Sequence, residues 1–196
     1  KLNEDGASGV VCINDGDTHN SPNEMVEAKY PVLVERFGLI DDSGGPGLHR
    51  GGLGIERVTQ ARGDFMVNTQ IDRMHCAPWG LNGGGEATGN SVALRLGGEW
   101  KEDFPNAKVM TAFLKPGEAF RLRSGGGGGG FGVAIERDPE LVRSDVEQSY
   151  VSVYSARNDY GVVIDRDSLQ MDLEATRALR AEMTAAERAE PGDSPS

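Results

Sequence analysis

Cysteine occurs only twice in the 196 residues, as Cys12 and Cys76. Two distant thiols make neither a disulfide framework nor a Cys-x-x-Cys metal clamp. Positive charge is also short: 20 Lys and Arg stand against 31 Asp and Glu, for a net charge of −11. Such a chain repels phosphate backbones and anionic headgroups, which argues against nucleic acid and membrane surfaces as main partners. No apolar run approaches the roughly 18 residues of a membrane helix, and no signal-type start is visible. A reducing, cytoplasmic compartment is therefore expected. Aromatics make up 6% of the chain and hydrophobic residues 37%. That is a thin core for one domain of this length, so burial against another chain or chain segment is expected. Opening on Lys1 rather than Met, the sequence is expected to be a processed, cleaved or separate piece.

Glycine, by contrast, is abundant at 28 residues. It is concentrated in Asp41–Gly54 (DDSGGPGLHRGGLG), Gly83–Gly85, Gly97–Gly98 and Ser124–Gly132 (SGGGGGGFG). Paired glycines imply backbone at positive φ or in close contact with something, since a Cβ penalises both. Between them lie short β-branched and aromatic runs that predict strands at Val32–Leu39, Gly54–Gln60, Phe65–Gln70, Ser91–Leu96, Ala107–Leu114 and Ala119–Arg123. Lys115–Gly117 with Glu118 predicts a turn with Gly117 at positive φ.

After residue 132 the period becomes helical. Asp138 and Pro139 predict an N-cap and first turn, with Leu141, Val142, Val146 and Tyr150 on one face. A short helix is expected over Val153–Asn158, a small strand over Tyr160–Ile164, and an amphipathic helix through Leu173, Ala175, Leu179, Ala181 and Met183. Near the start, Ser21, Pro22 and Glu24 predict at most a helical turn over Met25–Ala28. The expected fold is mainly β with a small α-helical C-terminal appendage (α+β), its body a glycine-rich sandwich or barrel-like sheet. The expected units are residues 1–132, residues 133–189 and a tail at 190–196 of disordered-type composition.

Candidate chemistry lies in three loops. Gly16–Asn23 (GDTHNSPN) sets Thr18, His19 and Asn20 before a helix start, where side chains and free amides converge on one point. His19 suits acid–base work or hydrogen bonding, and Asn20 could polarise a carbonyl. Equally, Thr18, Asn20 and Ser21 could only cap the turn. His49 and Arg50 sit between glycine pairs; Arg50 could hold an anion, but tying its own loop through carbonyls is favoured. Asp72–Gly85 (DRMHCAPWGLNGGG) offers Asp72 and Arg73 as substrate contacts and Trp79 as a pocket wall. The structural alternative has Trp79 anchoring the loop and Asp72 bracing Arg73.

Metal and nucleotide motifs are not visible. The adjacent His75 and Cys76 lack further ligands at zinc spacing. The glycine run has no Gly-Lys-Ser/Thr and opens no helix, so it is not read as a phosphate loop. Close packing against a neighbouring subunit or a substrate channel explains it better.

The segments EAKYPVLVERFGLIDDSGGPGLHRGGLG, DRMHCAPWGLNGG, the glycine run and ERDPELVRSDV occur in the order found in B-type subunits of the ATP-dependent hydantoinase/oxoprolinase family. The resemblance runs over about residues 15 to 185 and looks like the C-terminal part of those longer subunits. It implies a component of an enzyme that activates a cyclic amide with ATP and hydrolyses it through a phosphorylated intermediate. It equally admits the ketone carboxylase branch, in which a phosphoenol meets a carboxyl donor. ATP and Mg would be held by an A-type partner subunit, and a divalent metal by the N-terminal part of the B-type subunit. The implied partners are that A-type subunit, the remainder of the B-type subunit and a small-molecule substrate. A structural or assembly subunit, and a binder of a small metabolite without catalysis, are the other classes.

Overall fold

The computed structural model describes residues 4–9, 21–104 and 107–189, with side chains up to residue 186. A helix α1 (Asn23–Lys29) leads into strands β1 (Val32–Leu39), β2 (Ile55–Ala61), β3 (Phe65–Gln70), β4 (Ser91–Leu96), β5 (Glu99–Lys101), β6 (Lys108–Leu114) and β7 (Ala119–Arg123). Helices α2 (Pro139–Glu147), α3 (Val153–Asn158) and α4 (Leu173–Ala189) follow. The fold is of the expected α+β kind. Helix α1 is longer than the single turn expected.

The strands form a five-stranded antiparallel sheet, β1-β2-β7-β4-β5, and a separate two-stranded sheet, β3-β6. Period-2 alternation explains why the two sheets pack. Val92 and Leu94 from β4, with Phe120 and Leu122 from β7, meet Val109 of β6. Ala61 of β2 meets Val67 of β3 and Leu114 of β6. The body is therefore a small sandwich, with its core between the sheets.

Most strands lie where the sequence places them. Strand β5 is additional: Gly97 and Gly98, at φ 59° and 91°, form the tight turn that folds it back onto β4. Only three residues long and wholly exposed, it has no hydrophobic pattern to reveal it. Gly117 takes φ 91°, and the Glu118 amide closes that turn on the Lys115 carbonyl at 2.9 Å. The strand expected over Tyr160–Ile164 is not formed. That segment contributes an isolated bridge, Ile164 to Met171, because Gly161 turns at φ 64° against Arg180 and Met183.

The glycine-rich loops resolve the alternative left open by the sequence. Within residues 44–54 no glycine has positive φ. The reason for glycine there is contact. A Cβ on Gly51 would lie 1.9 Å from the Gly128 carbonyl oxygen, and one on Gly130 would lie 1.8 Å from that of Pro46. Loops 41–54, 78–89 and 124–132 run backbone against backbone, held by bonds such as Gly85 N to Pro46 O at 2.7 Å and Gly127 N to Gly52 O at 2.7 Å. Residues 6 and 9 join the same body through Gly6 N to Arg50 O and Gly9 N to Leu53 O. This core has almost no side chains. Its cohesion comes from satisfied main-chain groups at separations only glycine allows.

Helices α2 and α3 pack around Val142, Val146, Val151, Ala156, Tyr160 and Val162. Asp138 caps α2 by accepting from the Glu140 amide at 2.9 Å. Leu141, Leu173 and Ala181 do not join the expected apolar faces but point outward. In α4 the expected Ala175, Leu179 and Met183 do lie on the inner face, joined there by Thr176 and Arg180. Arg180 donates to the carbonyls of Tyr160 and Arg137 at 3.0 and 2.8 Å, so a charged residue holds an inward position.

An ion network fastens α2 to the glycine loops. Arg137, 2% exposed, donates to both carboxylate oxygens of Asp5 at 2.6 Å and to Asp145 at 2.9 Å. Arg50 is buried, donates to the Gly51 carbonyl at 2.8 Å and stands 3.6 Å from the same Asp145 oxygen. It ties its own loop, the role favoured from the sequence.

Candidate functional site in the loop between β3 and β4

The residues from Ile71 to Asn90 join β3 to β4 and lie over the end of the glycine core. Arg73 holds φ 59° there, in the left-handed region that L-residues rarely occupy. Asn90 keeps this backbone in place. Its Nδ2 donates to the Asp72 carbonyl at 2.6 Å, its main-chain N to that of Arg73 at 3.2 Å, and its Oδ1 accepts from Gly125 N at 2.5 Å. The loop is thereby fixed to the start of the glycine run. Nothing in the sequence signals this role, because the partners of Asn90 are main-chain atoms on distant segments.

Two clefts meet at Arg73. The smaller, about 240 Å³, is lined by Asp72, Arg73, His75, Cys76 and Lys108 among others. The larger, about 460 Å³, is lined by Arg73, Pro78, Trp79, Leu81, Phe131 and the backbone of residues 126–130. Its size lies within the range of small-molecule sites, which combine apolar walls with few polar groups. Trp79 is 67% exposed, so its ring forms a wall and not a buried plug. The amides of Gly128 and Gly129 donate no hydrogen bond among the described residues, and both glycines line this cleft. The arrangement can take a flat apolar group against Trp79, with amides and one guanidinium at hand for an oxygen or anion.

Of the residues proposed from the sequence, Arg73 lines both clefts, Trp79 the larger and Asp72 the smaller. The alternative, an Asp72–Arg73 brace, is not formed: Arg73 Nε donates to the Cys76 carbonyl at 3.4 Å, and Asp72 stands 3.6 Å from Lys108 Nζ. The left-handed turn at Arg73 separates the neighbouring side chains. Thr18, His19 and Asn20 lie outside the described residues. Leu81, Phe131 and Lys108 carry no signal in the sequence; the chain crossing that gathers them spans the whole β region. Among the described residues, no three His, Cys, Asp or Glu side chains cluster to hold a metal ion. None of the described helices is long and apolar enough to cross a membrane.

A family model described as hydantoinase B/oxoprolinase matches residues 1–134. The chain belongs to that family. It is 33% identical to a putative D-/L-hydantoinase B-type subunit of Pseudomonas sp. (strain NS671), over 92% of this chain and 30% of that protein. It is also 33% identical to the beta subunit of the caprolactamase of Pseudomonas jessenii, over 89% of this chain and 30% of that one. An uncharacterized protein of Methanocaldococcus jannaschii is 37% identical over 82% of this chain and 28% of its own length. Among solved structures, the ATP-dependent caprolactamase of Pseudomonas jessenii matches with a TM-score of 0.70 and 30% identity, over 82% of this chain and 28% of that one. An acetone carboxylase shares the fold, with a TM-score of 0.81 at 23% identity over 96% of this chain and 29% of that one. The chain thus spans under a third of the length of these proteins.

Proposed function

We propose that this chain is a component of the B-type subunit of an ATP-dependent, hydantoinase/oxoprolinase-type amidohydrolase. The observation that carries the proposal is the similarity to the B-type subunit of a hydantoinase and the beta subunit of a caprolactamase over about nine-tenths of the chain. In this reading ATP and Mg sit on an A-type partner subunit in the cytoplasm. The γ-phosphoryl group passes to the amide oxygen, releasing ADP, while the amide N–H proton leaves. Water then adds at the activated carbon, and the C–N bond breaks to give an acyl phosphate and a free amine. A second water releases phosphate and the carboxylate.

This chain supplies a wall of the site. Trp79, with Leu81 and Phe131, excludes water from one side of the ring, while Arg73 and the glycine amides attract its oxygens. Asp72 lies at the rim of the neighbouring cleft. Thr18, His19 and Asn20 are assigned to substrate contact, with His19 moving the proton. A divalent metal would be held by the remainder of the B-type subunit.

The test is ATP-dependent turnover of hydantoins, 5-oxoproline and caprolactam by the complete complex carrying Trp79→Ala or His19→Ala. Assembly without turnover supports the assigned roles. Full turnover in both variants removes these residues from the site. Carboxylation of a ketone in place of amide hydrolysis would move the protein to the carboxylase branch. No ATP-dependent reaction in an intact complex would leave an assembly role.

A further inference from the structure

The two-stranded β3–β6 sheet turns one face to the five-stranded sheet and the other outward. The inward face is fully used by Val67, Val109 and Leu114. On the outward face Met66 lies directly opposite Phe113 in the ladder, and Met110 follows one bulge away. These side chains are 50%, 71% and 67% exposed. The rest of that face carries the uncharged Asn68, Gln70 and Thr111 and one charged residue, Lys108, at the far end beside Asp72. A contiguous apolar patch without charge on a chain of net −11 is informative where scattered exposed hydrophobics are not.

The backbone under the patch is strained. The register slips between Val67 and Thr69, and Thr111 takes φ 58°, an outlying conformation for a β-branched residue. The Asn68 carboxamide stabilises it by accepting the Thr111 amide at 2.6 Å. The extra residue lets Val109 and Leu114 both face inward despite their odd spacing. It also brings Met110 and Phe113 to the same outer face, as bulges do when they re-aim side chains.

We infer that the Met66–Met110–Phe113 face is an interface for the part of the B-type subunit that relatives carry beyond this region, on the same polypeptide or a separate one. Those relatives are over three times the length of the matched region, so a large body of chain must pack somewhere against this fold. A second copy of this chain fits less well, since it would bring together two chains that each carry a net charge of −11. An apolar patch with the nearest charge, Lys108, only at the far end of its strand face suits burial of the kind found inside a subunit.

The experiment replaces Phe113 with a photoreactive benzoylphenylalanine in the natural assembly, with Tyr154 as the exposed control position, and maps cross-linked peptides by mass spectrometry. Cross-links from position 113 to B-type sequence outside this region support the inference. Cross-links to a second copy or to the A-type subunit, or none from an intact assembly, overturn it. As an independent measurement, peroxide should oxidise Met66 and Met110 in the assembly at least about tenfold more slowly than in the Phe113→Glu assembly. Equal rates would overturn the interface. The outward placement of Phe113 means that Phe113→Glu leaves the unfolding midpoint of the chain itself nearly unchanged.

Discussion

A methyl group added at Gly51 would meet a carbonyl oxygen at 1.9 Å, whereas one added at Gly128 meets nothing within 4 Å. Gly51→Ala should therefore destabilise by about 3 kcal/mol or more, as severe overpacking does when backbone is the obstacle. Gly128→Ala should stay within about 0.5 kcal/mol of the parent. Urea unfolding of the two variants checks the pair; equal effects would mean that glycine serves flexibility here and not contact. Charge gives a second residue-scale test. Burial pushes the Asp5 carboxyl upward, but the hydrogen bond and charge of Arg137, with the amide and charge of Arg50, outweigh it and hold the pKa below the ordinary carboxylate value. The folded state thus favours the ionised form. Its contribution is present above the unfolded carboxylate pKa and is lost as pH falls through the folded one. Asp5→Asn should remove that acid-side slope. Asp159 has the opposite sign: burial raises its pKa, the Ser155 hydrogen bond opposes this, and the charge of Asp42 adds to the rise. Its contribution falls as pH rises from the unfolded toward the folded pKa, so Asp159→Asn should raise the unfolding midpoint at neutral pH.

At the scale of elements, the Arg137–Asp145–Arg50 network is the clasp between α2 and the glycine loops. Asp145→Ala leaves the buried Arg50 guanidinium without its carboxylate and Arg137 with Asp5 alone, and should cost about 3 kcal/mol, the penalty for breaking a buried pair from one side. A chevron or urea titration reads it, and a loss under about 1 kcal/mol would deny the clasp. The Asp138-Pro139 helix start, the KPGE turn and most strands were legible because local rules fix them: capping, a proline φ and alternation. The clasp was not, since Asp5 and Arg50 lie far along the chain from each other and from Arg137 and Asp145, with no spacing to link them. The same holds for the site. DRMHCAPWG marked Arg73 and Trp79, yet the glycine floor and Phe131 reach them only through the fold. Leu141 and Leu173 misled in the other direction: helical periodicity placed them inward, but the narrow interior was already filled by Val142, Val146 and Tyr160.

At the scale of the whole molecule, the described residues present an open cleft and an exposed apolar sheet face, and the hydantoinase and caprolactamase relatives are more than three times as long as the matched region. Trp79 and Phe113 are exposed among the described residues, as the proposed place inside a larger assembly requires. The proposed function places this region inside an ATP-dependent assembly. The most direct measurement is native mass spectrometry of the material isolated from its source with a tag on this chain, identifying every bound polypeptide. The account predicts a complex containing further B-type sequence and an ATP-binding A-type subunit. A stable, solitary chain would contradict it and leave a free-standing binding domain.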